Sequence, residues 1–224
     1  MNRITPATNT RFDIGKRRMT AVAAVWIGAV QFFIAQIAVQ WSWTTEYNVS
    51  ANFISDLGNT VCGPYNGHYV CSPWHDLMNF SFSLQGVIIL VGALLARPLT
   101  RSWHTGPVVF PLFVLTALGM IGVGIFPENV YSDAHVIAAG IQFVTGNTAL
   151  IIIGLSGKYN VTRVWYTLST VLGVVGLMFT ALFASGYGLG LGVGGMERVA
   201  AYTFPVWLIG AGCILAKNIS GNSS

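Results

Sequence analysis

Residues 108–126 read VVFPLFVLTALGMIGVGIF, an unbroken apolar run that contains no charged side chain. About 20 such residues carry an α-helix across the hydrocarbon core of a bilayer. A transmembrane β-strand would instead alternate polar and apolar residues over about ten positions. The run therefore predicts a transmembrane helix and, with it, an integral membrane protein.

Further runs of the same kind predict an all-α polytopic protein in which six transmembrane helices form a compact bundle. The predicted spans are 20–41, 74–96, 107–126, 134–155, 164–185 and 197–216. The composition agrees, because 54% of the 224 residues are hydrophobic and only 8% are charged, too few to cover a water-exposed surface. We expect a single membrane domain, 20–216, between a basic N-terminal tail, 1–19, and a C-terminal tail, 217–224.

The basic residues predict how the bundle is oriented. Ten of the eleven Lys and Arg residues fall on one side of it: Arg3, Arg11, Lys16, Arg17, Arg18, Arg97, Arg101, Lys158, Arg163 and Lys217. The positive-inside rule places that side in the cytoplasm. We therefore predict a multi-pass protein of the cell membrane with both termini cytoplasmic and the first loop, 42–73, outside. Cleavage of the first span as a signal peptide would instead leave five helices and an outer amino terminus.

The charges also limit the partners. The cations are scattered over several short loops, whereas a nucleic-acid-binding protein gathers them on one face. We therefore expect membrane lipids as partners and no nucleic acid. A partner membrane subunit is a further alternative, and the sequence does not give the oligomeric state.

Two cysteines lie in the long first loop. Cys62 and Cys71 are nine residues apart and are flanked by the turn residues Gly63, Pro64 and 66–67. In an oxidising compartment this spacing permits a disulfide that closes part of the loop. The alternative is a pair of free thiols.

Polar residues gather at the predicted outer ends of the helices. The candidate ligand-binding residues are Ser55, Asp56, His75, Asp76, Asn79, Glu128, His135, Gln142, Glu197 and Arg198. Helix capping explains acidic residues at helix amino termini. Capping does not explain why His75, Asn79 and Ser83 recur at intervals of four, which predicts a polar helix face turned towards protein or water. We therefore expect an outward-facing polar and acidic pocket.

The histidines allow several chemistries. His75 and His135 each follow a serine by three residues, and with Asp56 they would suit a divalent metal such as zinc. The same histidine pair would suit haem, although a second pair of haem ligands is missing from the sequence. Packing of each histidine within the bundle is the simplest alternative.

Two further residues carry alternative interpretations. Ser55 would be a nucleophile if His75 and Asp76 lay beside it, although no nucleophile-elbow motif marks this serine. Arg198 is expected to pair with a carboxylate, Asp56 or Glu128, or to receive an anionic head group.

The stretch 47–59, YNVSANFISDLGN, resembles the ISDLG signature of the bacterial and archaeal membrane proteins grouped as domain of unknown function 998. The segments 124–128, GIFPE, and 196–198, MER, resemble later blocks of that family, so that the resemblance covers about residues 20–216. It implies a small polytopic protein without a settled activity and brings no catalytic residues with it. The positions that the family pattern marks are Ser55, Asp56, Gly58, Glu128, His135, Glu197 and Arg198.

Three classes of function follow. The first is an outward-facing site that binds a lipid head group or an ion. The second is a metal-assisted hydrolase or transferase that acts on a lipid at the outer leaflet. The third is an accessory subunit of a larger membrane complex, in which the polar residues are structural. Convergence of the candidate residues would favour the first two classes over the third.

Overall fold

The computed structural model describes residues 6–100, 104–157 and 163–221, and it describes side chains within these ranges at 15–98, 104–157 and 163–221. Arg3, Arg101 and Lys158, which we assigned to the cytoplasmic side from the sequence, lie outside the described residues. The described residues are mostly helical, as the apolar runs predict.

The described chain forms seven α-helices, one short 3-10 helix and one β-hairpin. The α-helices are α1 (Pro6–Ile27), α2 (Val30–Trp41), α3 (His75–Thr100), α4 (Gly106–Ile125), α5 (Ser132–Ser156), α6 (Arg163–Ala184) and α7 (Gly192–Gly221). The 3-10 helix is Ser55–Gly58, and the hairpin strands are β1 (Gly63–Tyr65) and β2 (His68–Val70).

Among the described residues, six helical segments are long and apolar enough to cross a membrane, which agrees with the predicted number of spans. They are Gly15–Trp41, His75–Pro98, Gly106–Ile125, Ser132–Ser156, Arg163–Ala184 and Gly192–Gly221. Each overlaps one predicted span, and the last is longer than predicted at both ends. The first consists of α1 from Gly15 onward together with α2. The two helices meet at a break at 28–29, where the backbone hydrogen bonds have the shorter 3-10 spacing.

Helices that follow one another along the chain pack side by side, and α7 closes the bundle by packing against α1. Glycines permit close approach, since a Cβ at Gly86 would overlap the α4 backbone at Ala117 and one at Gly119 would overlap α5 at Ala138. Small residues have this role in membrane proteins, where van der Waals packing rather than water exclusion joins the helices.

The bundle has two different ends. We call the end that carries the segments 42–74, 126–131 and 185–191 the loop end, and the opposite end the basic end. The loop-end segments contact one another: Ser50 bonds to Leu191, and the Thr60 N–H donates to Asn129 Oδ1 at 3.1 Å. The assignment of the basic end to the cytoplasm stays a prediction.

Candidate functional site

The ISDLG motif, 54–58, lies within the loop end of the bundle, and its last four residues form the 3-10 helix Ser55–Gly58. The Ser72 hydroxyl donates to the Leu57 carbonyl at 2.7 Å, and the Asn79 amide donates to the Gly58 carbonyl at 2.9 Å. A Cβ at position 58 would overlap the Asn79 side chain, so this close approach requires glycine. Asp56 is completely buried as a result.

Ser55 lies between a histidine and a carboxyl group. Its Oγ is 2.9 Å from Nε2 of His135 and 2.9 Å from Oε1 of Glu197. The other ring nitrogen of His135, Nδ1, is 2.7 Å from the carbonyl oxygen of Phe126. The second oxygen of Glu197 accepts a hydrogen bond from the Ile54 N–H. Both His135 and Glu197 are buried, so these contacts are shielded from bulk water.

The contacts restrict where the protons of this group reside. A carbonyl oxygen only accepts hydrogen bonds, so Nδ1 of His135 carries a proton. If the ring is neutral, Nε2 accepts the hydroxyl proton of Ser55, and Glu197 must then be protonated to donate to Oγ. If the ring is an imidazolium, the Ser55 hydroxyl donates to a Glu197 carboxylate instead. The two arrangements interconvert by shifting protons through Oγ, so Ser55 can relay a proton between two groups.

A pair of carboxyl groups, those of Asp56 and Glu128, lies beside Ser55. Asp56 Oδ2 accepts the Phe53 N–H at 2.8 Å and lies 2.8 Å from His68 Nε2. Asp56 Oδ1 and Glu128 Oε1 are both buried, and neither has a hydrogen-bond donor among the described residues. The side chains of Asp56 and Glu128 interact, so a proton on one carboxyl group can be shared with the other.

That proton belongs to Glu128. Burial, reinforced by the nearby charge of Asp56, raises the pKa of Glu128 from its ordinary value of 4.5 to about 10. Glu128 is therefore a neutral acid at pH 7 and is able to donate a hydrogen bond to Asp56.

A disulfide positions the histidine that faces Asp56. The Cys62–Cys71 disulfide confirms the sequence prediction and closes the β1–β2 hairpin, in which Tyr65 pairs with His68. Asn66 and Gly67 both have positive φ, as the two-residue turn of a tight hairpin requires. We did not predict the role of His68, although an Asn-Gly pair inside a cysteine loop indicates a hairpin, and a hairpin fixes where its flanking side chains point.

Arg198 has a different role from the one expected. Its guanidinium donates to four acceptors: the carbonyls of Val49 (2.9 Å), Asn52 (2.8 Å) and Gly194 (2.8 Å), and the Tyr47 hydroxyl. The predicted ion pair with Asp56 or Glu128 is absent among the described side chains and is replaced by these contacts. The hydrogen bonds of Arg198 and of the adjacent Glu197 together hold residues 47–55 against α7.

His75 and Asp76 lie away from this cluster. His75 Nδ1 is 2.8 Å from the Ser72 carbonyl, its Nε2 is 3.4 Å from Asp76, and the Asp76 side chain is 97% exposed. The predicted grouping of Ser55 with these two residues is therefore wrong, because α3 turns His75 towards its own first turn. Ser55 contacts His135 and Glu197 instead.

The predicted metal ligands, His75, His135 and Asp56, are not brought together either. Each bonds to a different partner, and the described residues contain no group of three His, Cys, Asp or Glu side chains arranged to hold a metal ion. The positions of His75, His135 and Asp56 therefore do not support a metal site formed by these three residues.

Below Ser55 lies a small cavity of about 30 Å³. Its polar lining consists of Ser55, Glu197, Gln85 and the predicted candidate Gln142, and the rest is apolar. A cavity of this size accommodates one or two water molecules. The space beside the serine is thus large enough for water and too small for a lipid head group.

Comparison with known proteins gives one match. The family described as "Protein of unknown function (DUF998)" matches residues 26–213, a range that contains every residue of the cluster. No curated protein and no solved structure matches the chain.

Proposed function

The chain belongs to the DUF998 family, whose description states no activity, and from the site itself we propose that it hydrolyses or transfers an ester-linked acyl group of a membrane lipid. Ser55 is the nucleophile and His135 is the general base. The observation that carries the proposal is the 2.9 Å contact between Ser55 Oγ and His135 Nε2, with Nδ1 fixed on the Phe126 carbonyl. A serine, a base within hydrogen-bonding distance and a group that orients the base are the requirements for an activated nucleophile.

The reaction follows from these contacts. His135 Nε2 accepts the hydroxyl proton as Ser55 Oγ attacks the ester carbonyl carbon. The carbon–oxygen bond to the leaving alcohol then breaks, and the alcohol departs with the proton from His135. Water, or an acceptor alcohol, attacks the acyl-serine while His135 again accepts a proton. The acid or the new ester leaves, and the proton returns to Ser55.

The remaining residues of the cluster position the serine. Glu197 bonds both to the Ser55 hydroxyl and to the backbone N–H of Ile54, which fixes the position of the nucleophile through contacts additional to that with His135. Glu128, a neutral acid at pH 7, bonds to Asp56 immediately after the serine. Both contacts stabilise one conformation of the 3-10 helix.

Substrate must reach Ser55 from the loop end. The cavity of about 30 Å³ is too small for an ester of a lipid, so we propose that the loop 42–74 moves aside to admit it. The disulfide lies at this end, and among the described Lys and Arg residues only Arg198 does. We therefore propose that the loop end faces the outside and that the substrate comes from the outer leaflet.

A second candidate function is ion binding without catalysis. The buried carboxyl groups of Asp56 and Glu128 favour it, because each has a buried oxygen that accepts no hydrogen bond from the described residues. On this alternative Ser55 is structural and its removal leaves no enzymatic deficit. An accessory role in a larger complex would have the same consequence.

An ester-cleavage assay distinguishes these functions. Protein in phosphatidylcholine nanodiscs is offered phospholipids and medium-chain aryl esters, and released acid is measured. We expect Ser55→Ala and His135→Gln each to lower the rate by about 10³-fold or more, because both participate in one proton transfer. Ser185→Ala, an exposed serine at the same end, is the matched control.

Activity that survives unchanged in Ser55→Ala would overturn the catalytic proposal. So would a wild-type protein that cleaves none of the esters while its variants fold normally. Thermal melting of every variant by tryptophan fluorescence confirms that a loss of rate is not a loss of fold.

A further inference from the structure

The basic end of the bundle contains a second, larger cavity of about 370 Å³. We call it the vestibule. All six spanning segments contribute to its walls, and its volume lies within the range of small-molecule binding sites. Six aromatic rings line it: Trp26, Phe110, Phe113, Trp165, Tyr166 and Trp207.

Aromatic side chains separate the vestibule from the cavity below Ser55. Phe204 lines the cavity at Ser55, whereas Phe113 and Trp207 line the vestibule. The ring centre of Phe204 is 5.2 Å from that of Phe113 and 6.4 Å from that of Trp207, so the three rings pack in contact. The vestibule is therefore a site of its own and not an extension of the catalytic one.

The surroundings of the vestibule are positively charged. The Arg97 guanidinium lies 4.5 Å from the ring centre of Phe110, a vestibule residue. Arg163 lines an adjoining cleft that shares Tyr166 with the vestibule. Every acidic side chain that the structure describes lies in the loop-end segments or the helix turns beside them. An apolar interior with a basic rim matches a molecule that has an apolar chain and an anionic head.

We propose that the vestibule binds a single-chain amphiphile with an anionic head group. The chain fills the aromatic interior, and the head lies at the rim near Arg163. The volume of the vestibule, about 370 Å³, is in the range of sites that bind small molecules, which is compatible with one apolar chain. This inference does not rest on the proposed function of Ser55.

The vestibule tryptophans allow a direct binding test. The protein is placed in phosphatidylcholine nanodiscs free of alkyl detergent and titrated with a bromine-labelled single-chain alkyl phosphate. Because Trp26, Trp165 and Trp207 line the vestibule, we expect saturable quenching of tryptophan fluorescence.

Neighbouring residues of α3 provide a matched pair of variants. Ala93 is 5% exposed and lines the vestibule, whereas Leu94 is 50% exposed on the outer surface of the bundle. We expect Ala93→Phe to weaken binding at least tenfold, since the phenyl ring occupies the chain's volume, and Leu94→Phe to leave it unchanged. Arg163→Gln should weaken binding about fivefold, the contribution of one cation near an anionic head.

Two outcomes of the binding test would contradict the proposal. Equal quenching in wild type and Ala93→Phe would mean that the probe only dissolves in the bilayer, which overturns the proposal. Equally tight binding of an alkylammonium of the same length would overturn the anionic specificity. Ser55→Ala should bind the probe as the wild type does, so failure of the catalytic proposal and failure of this one are distinguishable.

Discussion

Replacing Glu128 with glutamine should reduce the pH dependence of stability between pH 5 and pH 8 by about the contribution of one bound proton. The folded protein holds the Glu128 proton up to a pH of about 10, whereas the unfolded chain releases it near 4.5. Since the folded state binds the extra proton in this window, stability is full below 4.5 and falls as the pH rises. One additional bound proton changes the free energy of unfolding by about 1.4 kcal/mol per pH unit, or about 4 kcal/mol over three pH units.

The measurement is the midpoint of thermal or denaturant unfolding, followed by tryptophan fluorescence. Glutamine stays neutral at every pH and still offers an N–H to Asp56, so between pH 5 and pH 8 the stability of Glu128→Gln should change by about 4 kcal/mol less than that of the wild type. Glu46→Gln, an exposed glutamate of the same end, should keep the wild-type slope. Equal slopes in the wild type and in Glu128→Gln would mean that Glu128 is ionised when folded.

Replacing Arg198 with methionine should be the most damaging substitution of a single charged residue at the loop end. Methionine keeps the apolar stem but leaves three backbone carbonyls and the Tyr47 hydroxyl without their donor. We expect a loss of about 2–4 kcal/mol in the free energy of unfolding, because the substitution removes a charged donor from four acceptors, three of them in part-buried contacts.

The same substitution should also abolish catalysis, because Tyr47 in turn donates to the Phe53 carbonyl at 3.0 Å, two residues before the nucleophile. Arg163→Met, an exposed arginine of the opposite end, is the control and should leave both stability and activity unchanged. An Arg198→Met protein as stable as the wild type would show that the loop 47–55 is held by other contacts.

The spans were predictable because a bilayer imposes one strong rule. A helix in lipid must be apolar over its whole length, so the run 108–126 alone identifies a span with only small errors at the ends. The disulfide was predictable for a similar reason, since Cys62 and Cys71 are confined to one loop with turn residues between them.

The pairings within the site were not predictable, because they depend on how each helix is rotated. His75 and His135 have the same sequence context, three residues after a serine at a helix start. Only α5 turns its histidine towards Ser55, and α3 turns its histidine to the carbonyl of Ser72. A spacing rule cannot distinguish these two outcomes.

The conformation of the loop 42–74 was also not predictable from the sequence. This loop has no apolar periodicity, so the sequence gives no sign that Asp56 is buried while Asp76 is exposed. The partners of Arg198 were missed for the same reason, since they are backbone carbonyls, which every residue possesses. The vestibule has no sequence signature because residues of all six spans form it.

Covalent labelling tests the central role of Ser55 most directly. The protein in nanodiscs is treated with an alkyl fluorophosphonate, whose phosphorus an activated serine attacks with loss of fluoride, and the modified peptide is identified by mass spectrometry. We predict one adduct on Ser55 and none on Ser185, with labelling at least about 10³-fold slower in His135→Gln. No adduct on Ser55, or equally fast labelling of Ser55 in His135→Gln, would contradict the assignment of nucleophile and base.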